Sequence, residues 1–459
     1  MLFNSYEFLL GFLPASLLIY SLTDHRPQLR TWVLVLLSLI FYSYWNVRFL
    51  PLMVGSILIN WWAARLFVAT RSAAVTTTAI VANLLVLGVF KYADFFSDNI
   101  SELFGLPAAH LGLVLPLGIS FFTFHHIMYL VDLRRGRAPT YPLDRYALYI
   151  CFFPQAISGP IARWNEVIDQ FGERLFRPGW ELRFASGIVL IVIGLFEKVI
   201  IGDALGRGID PIYQEALVQP VANGGGWMAL AFAFQVFFDF AGYSDIAIGV
   251  ALMFGVVLPL NFDGPFRATS ILDFWRRWHM TLARFLRDYV FQPLSNSGVG
   301  GRKFRIARLV VALLVTMALC GLWHGAAWHF VLWGVLQGLA LGFAATWRQW
   351  LPSPPALIGW AATVGFFIVT IVVFRAGNLE AARHVYQGLT MAPNWHPEGR
   401  NALVGAIVCA VVLPPSHVIV ERLNQVPRRV VACGAAVAAV ALLLFIGNRD
   451  TFEFIYYQF

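Results

Sequence analysis

Two histidines stand where proton transfer could be done. His324 lies in Cys320-Gly-Leu-Trp-His-Gly-Ala-Ala-Trp-His-Phe330, between two long apolar stretches, and His279 follows Trp275-Arg-Arg-Trp278 in a basic, aromatic-rich segment. Desolvation favours the neutral imidazole, so a buried histidine can accept a proton from a hydroxyl nucleophile. A packing role remains open for each when read alone. Asp239 and Asp245 interrupt the apolar run Phe237-Phe-Asp-Phe-Ala-Gly-Tyr-Ser-Asp245. Ionisable groups at membrane depth are costly and therefore functional candidates, the alternative being a hydrogen-bond network between helices. Gly242 and Ser244 predict a helix break lining a cavity. Glu197 and Lys198, near the end of an apolar run, read as snorkelling side chains. His125, His126 and His329 read as packing residues. Neighbours such as His125 and His126 point to different helix faces, which makes a poor metal pair. No metal site is expected. Cys151, Cys320, Cys409 and Cys433 form no C-x-x-C pair and read as buried small hydrophobes. Cys320, one helical turn before His324, leaves a Cys–His nucleophile as a minor alternative.

The elements that must position these residues are membrane helices. Of 459 residues, 59% are hydrophobic and only 13% charged, against about 25% charged in soluble domains. A soluble domain of this size could not hide so much apolar surface. Disorder, a disulfide scaffold and a cytosolic enzyme are excluded; the fold class is all-α and polytopic. Runs long enough to span ~30 Å of hydrocarbon fall near 6–22, 31–46, 49–68, 74–93, 113–131, 183–201, 227–255, 307–323, 326–346, 356–374, 402–420 and 429–446. That gives about 11–12 spans. Segment 146–162, broken by Pro154, Gly159 and Pro160, reads as re-entrant. No basic leader or small-residue cleavage pattern precedes the first apolar run, so no cleavable signal is expected.

Arg26 and Arg30 in the first loop and Arg65 and Arg71 in the third predict cytosolic placement of both, with the N-terminus outside. The acidic 92–112 loop is then external. Segment 261–308 carries Arg267, Arg276, Arg277, Arg284, Arg287, Arg302, Lys303, Arg305 and Arg308 against Asp263, Asp273 and Asp288, which predicts a cytosolic face. Its core, Ile271–Val290, has the periodicity of an amphipathic interfacial helix. The positive loops fit topology and anionic lipid, not nucleic acid. One membrane domain, 1–459, accounts for the chain. Nucleotide-binding, metalloprotease and nucleophile-elbow motifs are missing, which leaves a transferase or a transporter.

Several ordered motifs resemble the membrane-bound O-acyltransferase family. They are Leu115-Pro-Leu-Gly-Ile-Ser-Phe-Phe-Thr-Phe124, Phe238-Asp-Phe-Ala-Gly-Tyr-Ser-Asp245, Leu260-Asn-Phe-Asp-Gly-Pro-Phe266, Asp273-Phe-Trp-Arg-Arg-Trp-His279 and Gly321-Leu-Trp-His-Gly-Ala326. The likeness runs from Met1-Leu-Phe-Asn-Ser to Phe454-Ile-Tyr-Tyr-Gln-Phe459 and is strongest to the bacterial alginate O-acetylation branch. The teichoic acid D-alanylation branch is more distant. His125-His126 departs from the amides expected there. The resemblance implies an acyltransferase of the bacterial inner membrane, with His324 catalytic and His279 a second site residue.

The two readings meet on acyl transfer. Arg267, Arg276, Arg277 and Arg284 could hold the phosphates of a cytosolic acyl thioester, acetyl-CoA foremost, used as co-substrate with no bound cofactor. Asp239, Asp245 and Trp323 would line the route to His324, which deprotonates an acceptor hydroxyl or relays the acyl group. Backbone amides or His279 would stabilise the oxyanion. Expected partners are membrane lipid, an acyl-CoA or acyl-carrier donor, a periplasmic SGNH esterase-like acetyltransferase and a polysaccharide such as alginate. Other donors or acceptors (peptidoglycan, cellulose) and a non-catalytic transporter or scaffold are the alternatives.

Overall fold

Each apolar run becomes a helix, because a backbone in hydrocarbon must satisfy its own hydrogen bonds. A computed structural model describes residues 1–459 except 223, 299–300, 302–303, 391–396, 448–453 and 456–459. Arg302, Lys303 and the residues after Ile455 therefore lie outside the described residues. Among the described residues every regular element is helical, and the protein is a polytopic membrane protein. Eight helices there are long and apolar enough to cross a membrane, nine if the pair Gly399–Val412 and Ser416–Leu423, bent by 67°, is one broken span and not a re-entrant loop. Pro414 and Pro415 stand at that bend, where missing donors end a helix. Shorter apolar helices occupy Glu7–Leu22 and Pro27–Ser43. The remaining expected run forms Ile119–Arg134, a 16-residue helix buried along nearly its whole length.

Two differences from the expected elements bear on the chemistry. The break expected at Gly242 and Ser244 is absent: Phe232–Met253 is one helix. In the span containing it, 94% of the most apolar window is buried. Packing on all sides there outweighs the ~1 kcal/mol cost of a mid-helix glycine. The amphipathic helix expected over Ile271–Val290 is instead two short helices, Ile271–Arg277 and Met280–Leu286, with Trp278 extended between them. Trp275, Trp278, His279, Leu282 and Phe285 are buried, so this segment packs into protein and does not lie on a bilayer surface.

The chain forms two compact units, each assembled from separated stretches. The first holds Met1–Gly194, Tyr243–Pro259 and Val420–Glu453; the second holds Leu195–Gly242, Leu260–Ile419 and Phe454–Phe459. In the first, Gly187 and Gly249 let two helices meet backbone to backbone. A Cβ on either would stand 2.5 Å from the other's carbonyl oxygen. The second is built around the hairpin of Arg305–His324 and Trp328–Trp350. A Cβ on Gly321 would meet the Phe330 carbonyl oxygen at 2.1 Å. The facing helix answers with its own small residues. A Cβ on Gly334 would lie 2.1 Å from the Met317 carbonyl oxygen, and one on Gly338 2.9 Å from Leu314 Cα. Such contact lets dispersion and helix packing act where lipid supplies no hydrophobic drive.

Candidate active site

His324 is the last residue of its helix; Gly325 follows in an extended conformation. The ring is buried against Trp323, Trp333 and Phe374, with centroids 4.8, 5.7 and 5.1 Å away. Trp323 also packs against His279, centroid to centroid 6.2 Å. The structure thus gathers both sequence-predicted histidines around one tryptophan, all three in the second unit.

His279 stands at the corner between the two short helices with φ 41° and ψ 53°. Apart from Arg71 it is the one described non-glycine residue with positive φ. That left-handed backbone costs of order 1–2 kcal/mol, and such strain persists where surroundings over-determine it. Here the loop after the Phe232–Met253 helix supplies the restraint. The Met280 N–H donates to the Asn261 carbonyl at 2.8 Å, and the Asp263 N–H donates to the Arg277 carbonyl at 3.0 Å. The Asn261 side chain then fixes the ring. Its Oδ1 accepts from His279 Nδ1 at 2.9 Å and from the Thr281 hydroxyl at 2.9 Å. An amide oxygen cannot donate, so Nδ1 carries the hydrogen and Nε2 the lone pair. Burial pushes the His279 imidazole down to about 3, so it is neutral at physiological pH. Phe240 abuts the same ring edge-on at 4.7 Å.

A polar spine stiffens the wall behind His324. Trp275 Nε1 donates to Gln337 Oε1 at 3.4 Å, and Gln337 Nε2 donates to the Thr370 hydroxyl at 2.9 Å. Gln337 is fully buried, and its two bonds tie the Ile271–Arg277 helix to Trp328–Trp350 and Ala356–Arg375.

Asp239 belongs to a buried ion cluster. Lys198 Nζ lies 2.6 Å from Asp203 Oδ1 and 2.5 Å from Asp239 Oδ1, all three side chains at most 4% exposed. The Ile455 N–H donates to Asp239 Oδ2 at 3.0 Å. Lys198 therefore does not snorkel. It sits on the π-helical turn Phe196–Gly202, whose extra residue per turn redirects side chains, and two carboxylates there make burial of the ammonium affordable. Asp245 is buried in the first unit.

The arginines divide. Arg277 pairs with Asp273 at 3.1 Å and Asp263 at 3.6 Å. Arg267 donates to the carbonyls of Val411, at 3.1 Å, and Leu413, closing the bent span. Arg284 is half-buried; Arg276 is exposed, and no ion pair to Arg276 is found among the described residues. Cys320 is fully buried. Among the described residues no group of three His, Cys, Asp or Glu side chains could hold a metal ion. Sequence reasoning passed over Asn261, Gln337 and the Lys198 cluster. Asn261 lay in a quoted motif, but its carboxamide gave no sign of reaching a histidine 18 residues away.

Comparison with known proteins bears on what this arrangement does. The model of the membrane-bound O-acyltransferase family matches residues 28–380. The chain belongs to that family. It is 36% identical to the peptidoglycan O-acetyltransferase of Helicobacter pylori over 428 residues, covering 85% of this chain and 80% of that protein. It is 37% identical to a Pseudomonas aeruginosa protein named probable alginate O-acetylase AlgI, covering 90% of this chain and 80% of the other. The teichoic acid D-alanyltransferase of Bacillus subtilis is 31% identical over 60% of this chain and 70% of its own. The protein is thus a membrane-embedded acyltransferase.

Proposed function

We propose that the acyltransferase takes acetyl groups from acetyl-CoA and supplies them across the bacterial inner membrane for O-acetylation of an extracytoplasmic polysaccharide. His324 acts as general base. The observation carrying this reading is the pairing of His324 and His279 around Trp323, with the second ring's tautomer held by Asn261. His324 takes the proton of the acceptor hydroxyl as its oxygen attacks the thioester carbonyl. The tetrahedral intermediate collapses by breaking the C–S bond, and the departing thiolate receives that proton. His279, neutral with its lone pair on Nε2, suits acceptance of a hydrogen bond from the incoming hydroxyl. It lacks the hydrogen that oxyanion stabilisation would need there. Arg276 is the exposed cation available to the donor's phosphates. Relatives named for alginate and for peptidoglycan support an acetyl group and a glycan hydroxyl as acceptor.

Incubation of purified protein with radiolabelled acetyl-CoA and an acceptor glycan tests the reading. Label should reach ester linkage with loss of free thioester, and His324→Ala should stop it. Transfer from an aminoacyl carrier protein with none from acetyl-CoA would replace the donor.

A further inference from the structure

At one end of the first unit a crevice of about 270 Å³ opens between the helices Leu13–Leu22, Trp180–Leu195 and the end of Phe232–Met253. Leu17, Leu18, Phe184 and Leu252 make its wall, and Trp180 and Arg183 stand at its edge. We propose that this crevice binds one anionic phospholipid, with the phosphate on Arg183 and an acyl chain along the leucines.

Three observations on separate groups carry the assignment. First, exposed apolar side chains border the crevice: Leu18 is 62% exposed and Leu22, one helical turn further on, 74%. Second, Arg183 is pre-set as a cation. Its Nη1 donates to the Pro178 carbonyl at 3.1 Å and its Nη2 to the Arg177 carbonyl at 3.3 Å. Neutral carbonyls hold the guanidinium without cancelling its charge, and among the described residues no carboxylate pairs with it. Third, positive charge accumulates around it. Asp24 is shared by Arg30, at 3.0 Å, and Arg174, at 3.3 Å, while Arg177 is paired with Glu173. Counting exposed Glu181, four arginines meet three carboxylates. Burial, and then the neighbouring charge of Arg183, lower the Arg177 guanidinium.

The aromatic pair sets the depth. Phe176 and Trp180 meet edge to face at 5.1 Å, both partly exposed, and tryptophan favours the headgroup level. A guanidinium there can bind a phosphate through two parallel N–H groups. A zwitterionic lipid offers the same phosphate but brings an ammonium into a region already positive. The surplus therefore selects a net anionic headgroup.

Native mass spectrometry of the full-length protein in detergent, titrated with phosphatidylglycerol or phosphatidylcholine, tests this. The expected result is one saturable phosphatidylglycerol adduct, at least fivefold tighter than phosphatidylcholine. Arg183→Gln should weaken it at least fivefold, and Leu18→Trp, which fills the crevice and keeps every charge, should do the same. Arg65→Gln, on a cation stacked over Trp61 elsewhere in the unit, should leave it unchanged. If Arg183→Gln does not elute as a monodisperse species, Leu18→Trp decides alone. Equal binding of the two lipids, an adduct unchanged by Leu18→Trp, or palmitoyl-CoA taking the site in preference to phosphatidylglycerol would each overturn the assignment.

Discussion

Among the buried histidines, two pairs, one in each unit, are built in opposite ways. His125 and His126 lie inside the regular helix Ile119–Arg134. His126 Nδ1 bonds the Tyr146 hydroxyl at 2.7 Å and its Nε2 the Ser56 hydroxyl at 3.3 Å, while His125 packs on Tyr149 at 5.1 Å. Both nitrogens of His126 are thereby spent on holding helices together. His279 and His324 instead stand where helices stop, one on a left-handed backbone and one before an extended glycine. Burial is the same in both pairs and so does not distinguish them. Helix termination and backbone strain do, because an imidazole at a helix end is aimed away from its own helix's backbone.

The largest effect should come from exchanging the two kinds of histidine. His324→Ala is expected to lower acetyl transfer by about 10²–10⁴-fold with unchanged abundance in the membrane, and His324→Gln should not rescue it. His126→Gln, in the same incorporation assay, should retain most activity and lose thermal stability instead. Equal loss in both variants would erase the distinction drawn here.

Asn261→Ala comes next. It frees the His279 ring to change tautomer, so turnover should drop by roughly ten- to a hundredfold, as for other residues that orient a functional imidazole, with KM little moved. A pure KM effect would assign Asn261 to substrate binding.

The ion cluster predicts a stability change. Lys198→Met leaves two carboxylates buried together and should cost about 3–5 kcal/mol in detergent unfolding. Adding Asp203→Asn and Asp239→Asn should recover most of it, whereas an Asp239 that contacts substrate would leave the triple variant stable but inactive.

Acidification separates His279 by a smaller effect. Its folded-state value, about 3, lies below the ordinary 6.5, so the unfolded chain binds the proton first. Stability contributed by the neutral ring is complete above pH 6.5 and is lost as pH falls from there toward 3. His279→Asn, which tolerates the left-handed backbone, should flatten that limb of the stability–pH curve. The smallest effect is expected from Cys320→Ser, which should keep most activity; near-complete loss with normal expression would point to a thiol relay.

Helix identity was legible in sequence because hydropathy is local, and the Trp-His motifs singled out His279 and His324 as candidates for the same reason. What escaped depends on distant partners. The periodicity of Ile271–Val290 could not reveal that Asn261 and Asp263 would clasp its middle and turn the chain at His279. Gly242 looked like a break because its propensity was visible and its enclosure was not. Lys198 passed for a snorkelling side chain since its second counter-ion, Asp239, lies 41 residues away. The arginine-rich loop likewise read as one basic surface, while Arg267 and Arg277 are drawn inward by carbonyls and carboxylates.

The interleaving of the two units sets an order of events during synthesis. The ribosome delivers Met1–Gly194 early, but that unit also needs Tyr243–Pro259 and Val420–Glu453. Its helices must therefore wait in the bilayer, partly unsatisfied, while most of the other unit is translated and inserted. Loss of the stretch from Val420 onward should consequently expose degradation-prone helices near the N-terminus, hundreds of residues before the lesion.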